Sequence, residues 1–223
     1  MRKIWNFAVR GVVFSGIVIG LAAGAGWTAP QVLAQAHAPK ADGTYSNIKI
    51  TADDHVLGRA DAPITIIEYA SLTCPHCAAF HKKELPALKK AYIETGKVRL
   101  VYRDFPLDRL ALAGSMLARC FERDKYFAFI GVLFEDQTRW ARSGDPMKSL
   151  GQLARLGGMT PNKFNACLRD KAIQEAVLKQ RLQGSKTFKI SSTPTLIING
   201  KKFNGGLTFS QIKSVIDPLL PKS

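Results

Sequence analysis

The chain has 223 residues, enough for one medium-sized domain or for a small domain with a large insertion, and too few for two independent full-size domains. Hydrophobic residues make up 46% of the chain and charged residues 22%, so we expect a folded core and exclude a largely disordered protein. The net charge of +15 is scattered over helix-like stretches without a dense basic run or interleaved aromatic residues, which argues against a nucleic-acid partner.

Residues 1–36 are predicted to be a cleavable signal peptide for export. The charged residues of this segment are Arg2, Lys3 and Arg10. An uncharged run follows them and ends in Ala34-Gln35-Ala36, a small-residue pattern typical of a cleavage site. Cleavage there would release a periplasmic protein with a net charge of about +12. The alternative is an uncleaved anchor in the inner membrane, since the apolar stretch 12–27 is nearly long enough to span a bilayer.

The first half of the mature chain is predicted to contain a strand, a helix and a second strand. Residues 37–47 are predicted to be a polar lead-in that contributes nothing to the core. The β-branched run between Pro63 and Ser71 predicts a largely buried first strand. A helix is predicted from Cys-Pro-His-Cys at 74–77 to Thr95, and alternation of apolar and basic residues predicts a second strand over 97–105.

Two prolines refine this prediction. Pro75 suits the first helical position, while Pro86 is expected to kink the helix. The resulting βαβ unit should have parallel strands and a right-handed crossover.

The second half is predicted to be a helical block followed by a hairpin and a helix. Leu107 to Lys186 has continuous helix-like texture with three breaks, so three or more helices are expected. The breaks are predicted at residues 143–146, 157–158 and 160–161. Asn199-Gly200 is a strong hairpin turn between strands 195–198 and 201–204, and a last helix is predicted over 210–220. The order βαβ, helical block, ββα indicates an α/β protein.

Cys74 and Cys77 form a Cys-x-x-Cys at the start of the predicted helix, which suits thiol–disulfide exchange. Unpaired backbone N–H groups and the helix dipole stabilise a thiolate at Cys74, so we assign it as the nucleophile and Cys77 as the less accessible resolving thiol. His76 between them should further favour the anion and make the disulfide a stronger oxidant.

Other uses of a Cys-x-x-Cys remain open at this point. It could be a structural disulfide or half of a zinc site. His81 lies four residues after Cys77 and could join them in an exported metal-handling module, although such a residue is more often on an exposed helix face. We expect no metal, because the sequence has no second Cys-x-x-Cys and Cys120 and Cys167 have no metal-like spacing. We also expect no bound cofactor, since Ala78 follows the pair where covalent haem attachment would need a histidine.

Two motifs carry a resemblance to a known family: Cys74-Pro75-His76-Cys77 follows a β-rich strand, and Thr193-Pro194 precedes a later strand. With these motifs the chain closely resembles the DsbA family of bacterial disulfide oxidoreductases over about residues 48–220. The resemblance implies a thioredoxin-like fold with an inserted all-helical subdomain. It also implies a cis peptide before Pro194, with Thr193 and Pro194 shaping the substrate surface beside Cys74. The implied parts are residues 48–106 and 187–223 for the thioredoxin-like domain and 107–186 for the insertion.

Glu68 matches a family acid beneath the active site. On strand alternation it shares a face with Ile64, Ile66 and Ala70, which suggests a buried carboxylate able to exchange protons with Cys77. The alternative is a glutamate at a partly wet edge of the sheet.

Cys120 and Cys167 depart from the simplest family pattern, which has the reactive pair alone. We predict that they form a second, structural disulfide within the helical insertion, stabilising the fold by up to about 4 kcal/mol on the chain-entropy model. Two separate free thiols are the alternative.

These observations predict a periplasmic thiol:disulfide oxidoreductase that introduces disulfides into reduced exported proteins. Family resemblance implies reoxidation by a quinone-linked membrane partner of the DsbB type, and the protein is expected to be monomeric. A reductase or isomerase of the same fold is the alternative. Such enzymes usually need a dimerisation domain, and only a short lead-in precedes the first predicted strand.

Overall fold

The structure is a computed structural model that describes residues 38–46 and 48–221; the predicted signal peptide lies outside these residues. A six-stranded mixed sheet forms its centre, with the strand order β1-β6-β5-β3-β4-β2. The strands are β1 (Gly43–Thr44), β2 (His55–Leu57), β3 (Ile64–Ala70), β4 (Val98–Asp104), β5 (Thr195–Ile198) and β6 (Lys201–Asn204). The thioredoxin-like architecture predicted from the motifs is confirmed.

The central strands follow the sequence pattern closely. β3 and β4 pair in parallel, with Ile66 opposite Leu100, and both strands are almost entirely buried, as their continuous β-branched and apolar residues predict. β5 runs antiparallel to β3, and β6 returns beside β5. The turn between β5 and β6 has φ values of 42° at Asn199 and 89° at Gly200, a left-handed conformation that this residue pair adopts readily.

The lead-in was wrongly predicted to contribute nothing to the core. Gly43 and Thr44 pair with β6 as strand β1. The ring of Tyr45 packs edge-on against Phe188 at 5.3 Å, and its hydroxyl donates a hydrogen bond of 2.6 Å to the Phe188 carbonyl. The segment is therefore docked onto the sheet through backbone pairing and one aromatic side chain.

The helix predicted after the first strand is divided into three pieces. α1 spans Pro75–Lys83 and α2 spans Leu85–Leu88, after which a π-helical turn covers Lys89–Ile93. Pro86 lies in the first turn of α2, where its missing N–H leaves no hydrogen bond unmade, so the helix is interrupted next to the proline that was predicted to kink it.

Six helices follow β4, and one follows the hairpin. They are α3 (Arg109–Arg119), α4 (Arg123–Glu135), α5 (Gln137–Ala141), α6 (Pro146–Leu156), α7 (Pro161–Arg169), α8 (Lys171–Thr187) and α9 (Phe209–Ile216), with a short 3-10 turn at Asp217–Leu219. The predicted breaks are confirmed. Asp145 caps α6 by accepting a 3.0 Å hydrogen bond from the Lys148 amide, and Thr160 caps α7 in the same way through Lys163.

α8 packs directly on one face of the sheet. A Cβ at Gly184 would lie 2.7 Å from a ring carbon of Tyr69, so only glycine allows this close approach. Gln180 on the same helix accepts a 2.6 Å hydrogen bond from the Asp104 amide at the end of β4. α8 thus lies on one face of the sheet, while α1 and α9 lie on the other face.

Within residues 38–46 and 48–221, the helices are all too short or too polar to cross a bilayer.

Candidate active site

Cys74 occupies the N-cap position of α1, after the short loop 71–73 that follows β3. Its backbone is extended, with φ −78° and ψ 120°, and Pro75 begins the helix behind it. The Cys74 residue is 5% exposed, whereas Pro75 and His76 are exposed. The strand therefore delivers the sulfur to the start of a helix, where free amide groups are available to stabilise negative charge.

The surroundings of Cys74 lower its thiol pKa from 9.0 to about 5. The largest cause is the hydrogen bond that the Cys77 thiol donates to the Cys74 sulfur. Hydrogen bonds from Thr193 and from the backbone amides of Cys77 and His76 act in the same direction, while burial opposes them. Cys74 is therefore largely a thiolate at neutral pH, as the reacting group of an exchange catalyst must be.

Cys77 has the opposite properties. It is fully buried one turn further along α1, and burial raises its pKa well above 9.0. Its hydrogen bond to Cys74 and the negative charge of Glu68 raise the pKa further. The pair is asymmetric, with an ionised sulfur at Cys74, a residue that is 5% exposed, and a protonated sulfur at the fully buried Cys77.

The peptide bond between Thr193 and Pro194 is cis, and it lies beside the reactive sulfur. In its protonated form the Cys74 thiol donates a 3.2 Å hydrogen bond to the Thr193 carbonyl. The buried Thr193 hydroxyl meets no hydrogen-bond partner among the described residues, so it can turn to the thiolate. The fold thus brings together two sequence motifs that are more than a hundred residues apart.

A small groove of about 130 Å³ lies next to this surface. It is lined by residues of α1 and of the segment before α9, including His76, Phe80, Lys83 and Leu207. A Cβ at the groove residue Gly206 would lie 3.4 Å from the ring of Pro194, so the groove adjoins the cis peptide. The side chain of His76 faces the groove, and its backbone amide supports the thiolate.

Glu68 on β3 is fully buried, which agrees with the strand alternation and excludes a wet edge. The Nε2 atom of His81 lies 3.0 and 3.1 Å from its two carboxylate oxygens. The expectation that His81 is on an exposed helix face was wrong, because its side chain is only 5% exposed. The spacing of four residues from Cys77, which places both on one side of α1, was the available signal.

Gln137 is a site residue that the sequence reasoning missed. Its buried side-chain amide donates hydrogen bonds of 2.8 Å to the Leu72 carbonyl and 2.9 Å to the Cys74 carbonyl. The helical block therefore holds the loop that carries the reactive cysteine. A glutamine some sixty residues away carries no sequence signal for this contact.

The other cysteines lie in the helical block. Cys120 ends α3, Cys167 lies in α7, and the structure joins them in a disulfide with a Cα–Cα distance of 6.2 Å. In the described part of the chain, no three His, Cys, Asp or Glu side chains are grouped so that they could hold a metal ion. The His81 imidazole contacts the Glu68 carboxylate through its Nε2 atom.

The sheet order, the helical block and the dithiol beside a cis-proline define a protein of the thioredoxin class. A family profile described as Thioredoxin matches residues 51–218. The crystal structure of Wolbachia pipientis alpha-DsbA1 is similar to this chain, with a TM-score of 0.72 and 33% identity, over 76% of this chain and 92% of that one.

Two curated rickettsial proteins are also similar. The "Putative protein-disulfide oxidoreductase" of Rickettsia bellii is 34% identical over 78% of this chain and 68% of its own length. The "Putative protein-disulfide oxidoreductase RT0103" of Rickettsia typhi is 34% identical over 70% of this chain and 58% of its own length. The chain therefore spans 58 to 68% of the length of these two relatives, and it belongs to the DsbA family of thiol:disulfide oxidoreductases.

Proposed function

We propose that the protein is a periplasmic oxidase that introduces disulfide bonds into reduced exported proteins. The observation that carries the proposal is the stabilised thiolate at Cys74, whose pKa of about 5 lies far below that of an ordinary thiol. A stabilised thiolate favours the reduced form of the enzyme, so its disulfide is a good electron acceptor. This supports transfer of disulfides from the enzyme to a client.

The forward reaction has two exchange steps. A client thiolate attacks Cys74, the Cys74–Cys77 bond breaks, and its electron pair goes to Cys77, which takes up a proton. A second client thiolate then attacks the client sulfur of the mixed disulfide and releases Cys74 as the thiolate. The client loses two electrons and gains its disulfide, while the enzyme leaves as a dithiol with one proton on Cys77.

The surface around Cys74 suits a peptide as the client. The cis peptide places backbone polar groups of Thr193 next to the reactive sulfur, where an extended client chain can pair with them. The adjoining groove combines the apolar side chains of Phe80 and Leu207 with the charges of Lys83 and Glu84. Such a surface favours contact with many sequences over recognition of one.

Location and partners belong to the same proposal. The basic residues, apolar run and Ala34-Gln35-Ala36 motif support export and cleavage, after which the enzyme acts as a monomer on exported clients. A quinone-linked membrane protein of the DsbB type reoxidises the Cys74–Cys77 pair. No metal or organic cofactor takes part, because the pair itself carries the electrons.

Oxidative refolding tests the catalytic claim. A reduced protein with several disulfides is refolded with the oxidised enzyme or with its Cys74→Ser variant, and thiols are counted after an acid quench. The wild-type protein should accelerate disulfide formation and the variant should not; equal rates would overturn the proposal.

A second measurement tests the direction. The enzyme is equilibrated with mixtures of reduced and oxidised glutathione, and the fraction of Cys74–Cys77 disulfide is determined by alkylation and mass spectrometry. An oxidase should be half-reduced at a much more oxidising ratio than thioredoxin. An equilibrium as reducing as that of thioredoxin would instead support the reductase alternative, and N-terminal sequencing of the periplasmic fraction checks the location.

A further inference from the structure

His81 connects the buried carboxylate beneath the reactive pair to a groove on another side of the protein. Its Nε2 atom contacts both oxygens of Glu68, and its ring lines a groove of about 350 Å³ between α1 and α4. Glu68 is fully buried and its charge acts on Cys77. Glu68 thus lies close enough to Cys77 to act on it through its charge, and His81 links Glu68 to this groove.

The groove is separate from the surface that a client would cover. Its lining includes Leu57, Lys82, Leu85 and Phe127, and none of Cys74, Pro75, His76, Thr193 or Pro194 belongs to it. His81 lies seven residues after Cys74, which corresponds to about 10 Å along a helix. A client bound at Cys74 therefore leaves the groove open to water.

Each turnover requires a proton to reach or leave Cys77 while that sulfur is buried. The pKa of Cys77 is raised by burial, so the sulfur must be protonated as the disulfide opens and deprotonated as it reforms. In the mixed disulfide the client covers the route past Cys74. A buried acid in contact with a histidine at a second opening provides another route.

We propose that His81 relays the proton between Glu68 and the solvent of this groove, so that Cys77 exchanges its proton on the side of α1 away from the client. When the client thiolate attacks Cys74, the electron pair of the broken S–S bond goes to Cys77, and a proton passes from His81 through the Glu68 carboxylate to Cys77. His81 is then reprotonated from the groove, and Glu68 remains a carboxylate. During reoxidation the proton travels the same path outward. The inference rests on the proposed dithiol exchange, but not on its direction.

The groups that face His81 come from β3, β4, α1, the π-helical turn and α4. Glu68 lies on β3, and on β4 the ring of Tyr102 is 6.1 Å from the imidazole. Phe134 of α4 packs against the ring at 4.0 Å. The charged residues of the groove are Lys82, Lys89, Asp124 and Glu135, two of each sign. The charged side chains that line the groove therefore balance in sign around His81.

The test measures single-turnover exchange between the oxidised enzyme and a dithiol peptide, with an acid quench, across a range of pH. We expect His81→Gln, which keeps a polar side chain but cannot carry a proton, to slow the reaction by about tenfold. This is less than the roughly hundredfold or more of a group that acts directly on the reacting atom, because His81 acts through Glu68. In a Glu68→Gln background the same change should have less than about a twofold effect, because the relay is already broken. Lys90→Gln, an exposed charge change beside the helix, is the control.

Two further variants distinguish a relay from a structural role. Imidazole added to His81→Ala should restore the rate, since the groove is large enough to admit it. Gly131 lines the groove and a Cβ there meets no atom within 4 Å, so Gly131→Phe should fill the groove and slow exchange, whereas Gly131→Ala should not. The wild-type rate should also fall in D₂O more than the His81→Gln rate.

Unchanged rates in both His81→Gln and Gly131→Phe would overturn the proposal. It would also be overturned if the effect of His81→Gln were as large in the Glu68→Gln background as in wild type and imidazole did not restore the rate of His81→Ala. If the wild-type enzyme exchanges thiols but cannot oxidise clients, the proposed function fails while the relay is still tested by these rates.

Discussion

The two cysteine pairs of this protein lie at opposite ends of helices. Cys74 is the N-cap of α1, whereas Cys120 is the C-cap of α3 and Cys167 lies in the last turn of α7. Amide groups at a helix start stabilise a thiolate, and carbonyl groups at a helix end do the reverse. The first pair is therefore favoured as a dithiol and the second as a disulfide.

Sequence separation and helix position both affect how strongly each cysteine pair favours its disulfide. The reactive pair closes a ring of four residues, so its disulfide gains little from restricting the unfolded chain. The second pair joins residues 47 positions apart, and its disulfide restricts the unfolded chain strongly. One pair can give up its bond easily, and the other is suited to keep it.

The largest expected difference between the pairs is in catalysis. Cys74→Ser should reduce the rate of exchange with a dithiol peptide to the uncatalysed background, because the reacting thiolate is lost. The double variant Cys120→Ser/Cys167→Ser should keep most of the wild-type rate. Stopped-flow or acid-quench assays measure both, and a double variant as inactive as Cys74→Ser would show that the pairs are not independent.

The second expected difference is in acidity. Ultraviolet absorbance of the reduced protein near 240 nm should show a thiolate that titrates with a midpoint near the Cys74 pKa of about 5, and Cys74→Ser should lack it. Because the folded pKa lies below the ordinary value of 9.0, the reduced protein should gain stability over the oxidised protein as pH rises from about 5 towards 9.0, and lose it as pH falls through about 5. A midpoint near 9.0 would contradict this.

The third prediction concerns stability. Replacing both Cys120 and Cys167 by alanine should lower the free energy of unfolding by about 2–4 kcal/mol, because the unfolded chain is no longer restricted. Urea unfolding of the oxidised proteins measures it. The matched control is the wild-type protein in which the Cys74–Cys77 pair is reduced and the second disulfide is left intact. This reduction should not destabilise the protein at neutral pH.

The smallest expected effect concerns the contact between the helical block and the reactive loop. Gln137→Leu leaves the carbonyls of Leu72 and Cys74 without their donor, so it should destabilise the protein by about 1–3 kcal/mol. The exposed Gln152→Leu is the control, expected within about 0.5 kcal/mol of wild type. A Gln137 variant as stable as the control would show that the loop is held by its own strand and helix.

Much of the fold could be predicted because its signals are local. The strands β3 and β4 are continuous apolar runs, Asn199-Gly200 specifies a hairpin, and α6 and α7 begin with a capping side chain and a proline. The buried position of Glu68 also followed from alternation along β3. Each of these features depends on residues within one short segment.

The features that were missed depend on partners distant in sequence. The strands β1 and β2 have two and three residues, too few for any periodicity, and they exist because β6 and β4 offer them backbone partners. Gln137 reaches the Cys74 loop only after α4 and α5 have packed beside it. His81 was misplaced because the helix face that bears it is covered by Phe134 of α4.

Both outer strands of the sheet are very short, and this has a consequence for a protein that would handle unfolded chains. Longer strands with free backbone groups would invite such chains to add to the sheet and remain there. β1 covers two of the four residues of β6, and β2 covers three of the seven of β4. In the described part of the molecule, a partly unfolded polypeptide therefore meets no long continuous edge strand along the margins of the sheet, and its encounter is left to the surface around Cys74, from which exchange chemistry can release it.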